Sequence, residues 1–273
     1  MTPEDFDRLQ ALMAGRTGYA LTTDRMQLAE HRLGPVARRE GFHNVEALLN
    51  SVWSRPIGSL GWSIIETLLN TETWFRRDRH VFDLYAHELL PALAKAREGR
   101  AIRIWVAGGA SGQEAFSLAM AAHEQDIAVD ILSTDLSQQA LEKGGRGIYS
   151  SFEIQRGLSA RTMLRWFEPV EDQWQARNDL RHSIHFDRAN LLDPLPVDLA
   201  GKGPFDLIFC RNVLCDMIPE MRHKVLEKLH NPLLDDGCLF LGLDEKPDGK
   251  LFRSVAGRAG LFVKGPTQSR HAA

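Results

Sequence analysis

Ile102-Arg103-Ile104-Trp105-Val106-Ala107-Gly108-Gly109-Ala110-Ser111-Gly112-Gln113-Glu114 is the stretch on which the fold turns. Its first six residues are apolar except for Arg103, and they read as a short buried strand. Three glycines follow within five positions, and a helical pattern starts near Gln113. Strand, glycine turn and helix in that order place a ligand beyond the carboxyl end of a parallel sheet, where a backbone without Cβ atoms can come close to it. The spacing is not G-x-G-x-x-G, which disfavours a dinucleotide site.

Downstream, the pattern repeats. Strands are predicted at Ile102 to Ala107, Asp130 to Thr134, Ile184 to Phe186, Phe205 to Cys210 and Cys238 to Leu243, and helices at Gln113 to Gln125, Gln138 to Gly144 and Met221 to Leu234. Strands alternating with helices signal an α/β domain with a doubly wound, Rossmann-like parallel sheet. The second strand ends in Asp135, 23 positions beyond Gly112. An acid there can accept both hydroxyls of a ribose, or it can cap the helix that follows. Between about 161 and 187 the alternation fails, which predicts a small inserted antiparallel β-subdomain.

Upstream, residues 1–70 are helical in pattern, with Phe6, Leu9, Leu12 and Met13 recurring at three and four, so an all-helical amino-terminal domain is expected. Gly34 and Pro35 are expected to interrupt the helix carrying Arg25, His31, Arg32, Arg38 and Arg39, whose charged face is either solvated or a docking surface for an acidic helix. Residues 71–99 read as a linker and connecting helix, and 100–273 as the α/β domain.

The 273 residues are 44% hydrophobic and 25% charged, as a folded chain requires, and the net charge of −3 gives no basic field for nucleic acid or an anionic membrane. No apolar run approaches the roughly 20 residues that span a bilayer, and the polar start lacks a signal-peptide core, so a cytoplasmic location without membrane insertion is expected. Three cysteines without C-x-x-C spacing, and histidines without a completing shell, imply neither a disulfide framework nor a metal.

Phe205-Asp206-Leu207-Ile208-Phe209-Cys210-Arg211-Asn212-Val213-Leu214 resembles the F-D-L-I-F-C-R-N-V-L signature of the CheR chemotaxis-receptor methyltransferases. Thr71 to Asp78 resembles that family's N-E-T-x-F-F-R-D, and Ile102 to Met120 its I-R-I-W-S-A-G-C-S-T-G-E-E-P-Y-S-L-A-M. Gly147-Ile148-Tyr149, Asn190-Leu191-Leu192, Thr17-Gly18 and Arg32-Leu33 also fit, so the resemblance covers nearly the whole chain. It implies a protein-glutamate O-methyltransferase using S-adenosylmethionine and releasing S-adenosylhomocysteine, with the cytoplasmic helical region of chemotaxis receptors as partner. It also implies cofactor contacts from Thr71, Thr73, Arg77, Glu114, Asp135, Asn190, Leu191, Arg211 and Asn212, with Arg77 orienting the substrate carboxylate.

Three departures stand out. Asp216 replaces the family's tyrosine near methyl transfer, where a carboxylate would repel an incoming glutamate unless protonated or paired with an arginine. It bears on catalysis and leaves open a sensor or scaffold that binds the cofactor, or a different protein acceptor. Thr71, Arg76 and Gln113 replace an asparagine, a phenylalanine and a glutamate of the family pattern. The tip Glu168 to Gln173 is shorter than in members that grip a receptor's tail peptide, so recognition without that tail is expected.

Overall fold

The computed structural model describes residues 1–54, 56–194, 203–247 and 249–265, and the chain clusters into two compact units. The first comprises residues 1–70 with 216–222, and the second residues 71–215 with the chain from 223 onward.

The first unit is built on helices α1 (Pro3–Thr17), α2 (Met26–Arg39), α3 (Val45–Trp53) and α4 (Ser59–Leu68). Thr2 and Asp5 form a reciprocal capping box at the start of α1, and Gly18 ends it in the left-handed region at φ 72°. Asp5 also accepts a hydrogen bond from the Trp53 indole at 3.3 Å, tying α1 to α3. Helix α2 runs unbroken through Gly34 and Pro35, correcting the expected interruption. Its buried stripe of Ala29, Leu33, Val36 and Ala37 holds it together, and Pro35 faces outward, where its missing N–H costs one bond and no packing. Segment 216–222 pairs with the start of the chain: the Ala20 N–H donates to the Asp216 carbonyl at 2.8 Å and the Ile218 N–H to the Gly18 carbonyl at 2.8 Å. Gly18 suits this approach, since its backbone is left-handed at φ 72° and a Cβ there would lie 3.0 Å from Met221 Cβ.

The second unit opens with α5 (Arg79–Leu84), a single π turn over Tyr85–Leu89, and α6 (Leu90–Ala96). It continues with β1 (Ile102–Ala107), α7 (Gln113–His123), β2 (Val129–Asp135), α8 (Gln138–Arg146), β3 (Ile148–Ser150), α9 (Ser151–Gln155) and α10 (Ala160–Trp166). Then come β4 (Phe167–Val170), β5 (Gln173–Ala176), α11 (Asn178–His182), β6 (Ile184–Arg188), β7 (Phe205–Cys210), α12 (Pro219–His230), β8 (Leu233–Leu241), β9 (Phe252–Ser254) and β10 (Leu261–Lys264).

Seven strands form one sheet in the order β6-β2-β1-β7-β8-β10-β9, parallel from β6 to β8, with β10 antiparallel to both its neighbours. Strand order reverses at β1, with β2 on one side and β7 on the other, so the glycine turn after β1 lies at the switch point where such sheets bind ligands. The fold is the doubly wound, Rossmann-like α/β arrangement with a helical amino-terminal region and a small antiparallel sheet.

That small sheet has the order β3-β5-β4. It differs in extent from the predicted 161–187: one strand comes from 148–150, α10 occupies 160–166, and 184–188 belongs to the main sheet. Two other expectations are corrected. Helix α12 ends at His230 instead of Leu234, because Pro232 biases Asn231 away from helix and Leu233 already starts β8. Strand β8 accordingly ends at Leu241, so Gly242 and Leu243 lie beyond it.

Asp206, fully buried in β7, is held by three cationic residues. Its carboxylate accepts from Arg97 Nε, from Arg100 at 2.9 and 3.1 Å, and from the Arg103 backbone N–H at 2.8 Å. Hydrogen bonds from Arg97 to Asp236 and to Asp206 raise the Arg97 guanidinium above its ordinary value. Breaking a buried pair strands the other charge, so Asp206→Ala should lower unfolding stability by about 3–5 kcal/mol. Urea denaturation at pH 7 reads this directly, and a loss under about 1 kcal/mol would refute the anchoring role.

Candidate active site

At the carboxyl end of β1, Gly108 and Gly109 donate their N–H groups to the Thr134 carbonyl at 2.8 and 3.0 Å, folding the turn over β2. Their lack of a Cβ has a different use from the one the sequence suggests. A Cβ at Gly108 would lie 2.5 Å from Val213 and one at Gly109 2.2 Å from the Ser133 hydroxyl. The glycines are needed for protein against protein, and so bring the turn close to the ends of β2 and β7. Tyr149, fully buried in β3, donates from its hydroxyl to the Ser111 carbonyl at 2.6 Å and pins the far side of the turn.

Asp135 ends β2 and carries out a task on the turn. One carboxylate oxygen accepts from the Ala110 N–H at 2.8 Å and the other from the Ser137 N–H at 2.9 Å. Ser137, whose side chain accepts from the Ala140 N–H, is the residue that caps α8, which decides against Asp135 as the cap. The Ala189 N–H donates to the Asp135 carbonyl at 3.0 Å, so half-buried Asn190 and buried Leu191 leave β6 beside it. Asn190 accepts from the Leu192 N–H at 3.0 Å and donates to Asp193 at 3.1 Å, an arrangement internal to its turn.

Arg211, one residue past β7, joins three segments. Its guanidinium, only 2% exposed, donates to Glu114 in the first turn of α7, to Asp78 at 2.6 Å and to the Arg77 carbonyl at 3.0 Å. Glu114, Arg211 and the backbone of Arg77 are thus brought together, and Asp78 joins them. Arg77 itself lies over the Trp74 ring at 4.2 Å, with Arg156 over the same ring at 4.1 Å and paired with Glu72 at 2.8 Å. Among the described residues no carboxylate lies within salt-bridge distance of Arg77. Thr71 and Thr73 are half-buried on the same segment. Arg76 is tied back through its N–H to the Ser117 hydroxyl at 3.0 Å and its guanidinium to Glu124 at 3.4 Å, while Gln113 accepts from Ser111 at 2.8 Å.

Asn212 adopts a left-handed backbone at φ 58°, and its side-chain oxygen is buried without a hydrogen-bond partner. The Nε of Arg211 and the hydroxyl of Ser133 are buried and unpartnered as well. Orphaned polar atoms are costly. Three of them, two next to each other at the end of β7 and one beneath the turn after β1, accord with a site for a polar ligand. Burial, followed by the charges of Glu245 and Glu114, pushes the Cys210 thiol well above its usual range, which disfavours the reactive thiolate.

Asp216 belongs to the other unit. Its carboxylate accepts from the Asn70 amide at 2.9 Å and stands 3.7 Å from Arg25, whose guanidinium also donates to the Tyr19 hydroxyl. Two residues escaped the sequence reading. Asp78 lay in the quoted Thr71 to Asp78 stretch without a role, and Glu245, which accepts backbone N–H groups beyond β7 and β8, carried no motif signal. Among the described residues no cluster of three or more His, Cys, Asp or Glu could hold a metal, and no helix is long and apolar enough to cross a membrane.

A parallel sheet with its ligand end organised by a glycine turn, an acid at the end of β2 and a polar pair at the end of β7 is that of an S-adenosylmethionine-dependent methyltransferase. The profile described as CheR methyltransferase, SAM binding domain, matches residues 71–258, and the chain belongs to that family. It is 31% identical over 250 residues to Chemotaxis protein methyltransferase 1 of Pseudomonas aeruginosa, covering 88% of this chain and 89% of the relative. It is 32% identical over 270 residues to the chemotaxis protein methyltransferase of Vibrio parahaemolyticus, covering 95% of each. Chemotaxis protein methyltransferase Cher2 of Pseudomonas putida is 29% identical over 254 residues, covering 90% of this chain and 91% of its own length.

Asp135→Ala deletes two charge-assisted bonds that hold the turn. It should weaken S-adenosylmethionine binding roughly 10- to 100-fold in calorimetric titration, and an unchanged affinity in a folded variant would remove Asp135 from the cofactor site.

Proposed function

We propose that this methyltransferase esterifies glutamate side chains of chemotaxis receptors in the cytoplasm, recognising their helical cytoplasmic region without a tail peptide. The observation that carries the reading is Arg77: a guanidinium stacked on Trp74, with its backbone locked by Arg211 and no carboxylate of the described residues paired to it. A planar fork held in this way can take a substrate carboxylate through two parallel hydrogen bonds.

When bound, S-adenosylmethionine supplies a methyl group already activated by its sulfonium. A glutamate side chain is ionised at neutral pH, so no strong base is called for, and the protein's work is alignment and removal of water from the attacking oxygen. In this reading Asp135 accepts from the ribose hydroxyls, Glu114 and Arg211 face the amino-acid portion, and Thr71, Thr73, Asn190, Leu191 and Asn212 complete the pocket. Arg77 orients the acceptor. The names of the three relatives described above, each a chemotaxis protein methyltransferase, support the receptor as acceptor.

Asp216 takes part differently from the tyrosine it replaces. A bare carboxylate would repel the substrate, but this one is paired with Arg25 and held by Asn70, which satisfies the condition under which an acid is tolerated. The two-residue turn Glu171-Asp172 between β4 and β5, with Glu171 at φ 54°, supports recognition without the tail.

The test is transfer of labelled methyl from S-adenosylmethionine to receptor cytoplasmic fragments, scored by release of label in mild base. Base-labile label is expected, and Arg77→Ala should cut kcat about 100-fold while changing cofactor affinity less than about threefold. Cofactor binding without transfer to any receptor fragment would favour a sensor, scaffold or other acceptor.

A further inference from the structure

Beyond the carboxyl ends of β7 and β8, one buried carboxylate holds both exits. Cys210 and Leu241 are the last paired residues of these two parallel strands. After Leu241 the chain turns through Gly242, and the Glu245 N–H donates back to the Gly242 carbonyl at 3.0 Å, which aims the Glu245 side chain at the β7 exit. There its carboxylate accepts three backbone N–H groups: Gly242 at 2.6 Å, Asn212 at 2.9 Å and Cys215 at 2.9 Å. Glu245 is 4% exposed, and among the described residues no cationic side chain stands within salt-bridge distance of it. Its charge is met by oriented amides alone, which gives bonds about twice as strong as neutral ones but demands that all three stay in place.

The details around it show how tightly that requirement is built in. Asn212 sits in the left-handed region at φ 58°, an unfavourable conformation for a side-chain-bearing residue that the Glu245 bond to its N–H helps to hold. Gly242 has no room for a Cβ, which would lie 2.8 Å from Glu245 Oε2 and 2.9 Å from Asn212 Nδ2. The three donors span Asn212 and Cys215, so the clamp fixes both ends of the turn that follows Arg211. A buried anion spent on holding this turn, beside an Asn212 oxygen with no partner, is an investment in geometry at the cofactor end.

We propose that Glu245 is a positioning residue of the methyltransferase: it fixes Asn212 for the cofactor and, through the Cys215 N–H, the far end of the turn that follows Arg211. The assignment to the cofactor rests on the site read above, and its second half rests on the proposed transfer reaction. It touches neither cofactor nor substrate.

Two variants of the full chain test it, measured at a temperature where circular dichroism reports full folding. Glu245→Gln leaves one oxygen for the Asn212 and Gly242 N–H groups and turns an amide NH2 toward the Cys215 N–H. It should bind S-adenosylmethionine within about threefold of wild type and lose about tenfold in kcat on receptor fragments, with KM for the receptor little changed. Glu245→Ala removes all three bonds and should lose roughly tenfold or more in cofactor affinity as well. A carboxylate that served stability alone would shift the melting temperature and leave both affinity and kcat of the folded variants at wild-type values, and that result overturns the proposal. If wild type itself transfers no methyl to receptors, the receptor reading fails, and the cofactor affinity of Glu245→Ala still decides the role at Asn212. Should Glu245→Ala not fold, Glu245→Gln decides alone: a kcat equal to wild type refutes the positioning role.

Discussion

A guanidinium buried to 2% exposure cannot stand alone, and Arg211 is where this constraint organises the second unit. Its charge is met by Glu114 from α7 and Asp78 from the segment before α5, so the sheet, the helix after the glycine turn and the 71–78 stretch are joined at one point. The Arg77 carbonyl accepts from the same group, which is why the neighbouring side chain can stack on Trp74 in a defined place. Glutamate at the first turn of α7 is doubly placed, since the helix amino terminus favours a negative charge there. An exchange at Arg211 would leave the Glu114 and Asp78 carboxylates facing each other without their cation.

The parts of the fold that are legible from sequence are those whose burial leaves a pattern. Strands β1 and β7 are covered on both faces, so they read as apolar runs broken only by Arg103 and Asp206, with the observed limits Ile102–Ala107 and Phe205–Cys210. The three-residue strands β3 and β9 and the four-residue β10 carry too few positions for any period to declare itself. Pro35 shows the opposite failure: a strong local breaker is overruled by the buried stripe around it. Asn231-Pro232 was the reverse case, a stop signal present in the sequence that the apolar Leu233 and Leu234 masked.

The candidate site divides in the same way. Residues at the ends of strands are predictable because position along the chain determines depth in the sheet, and Asp135, Arg211 and Asn212 all emerge at the carboxyl edge. Spacing leaves Asp135 open to a ribose or to a helix cap; Ser137 takes the cap, and the bond from Asp135 to the Ala110 N–H exists only once the turn after β1 lies against β2. The crowding at Gly108 and Gly109 comes from Val213 and Ser133, neighbours that no spacing along the chain discloses. Glu245 was out of reach altogether, because its partners are backbone N–H groups that every sequence possesses, and their convergence exists only once β7 and β8 are side by side.

The same reasoning gives Asp216 its meaning. An acid in place of an aromatic phenol looks prohibitive for a carboxylate acceptor as long as its charge is counted alone. In the helical unit the charge is counted with Arg25, 3.7 Å away, and the Asn70 amide at 2.9 Å, so the local sum of formal charges is zero. With Asp216 21% and Arg25 37% exposed, the pair gains little stability, and its effect lies in cancelling the field that a lone carboxylate would project. Arg25 also donates to the Tyr19 hydroxyl, a phenol whose proton is held more firmly than usual by burial and by the charge of Asp216. Aspartate, arginine, amide and phenol thus form one connected group, and an exchange at position 216 acts through all four side chains. A phenol at 216 would remove the counter-charge of Arg25, which at 37% exposure stays solvated and keeps its bond to the Tyr19 hydroxyl, so the exchange changes the local charge by one and costs little stability.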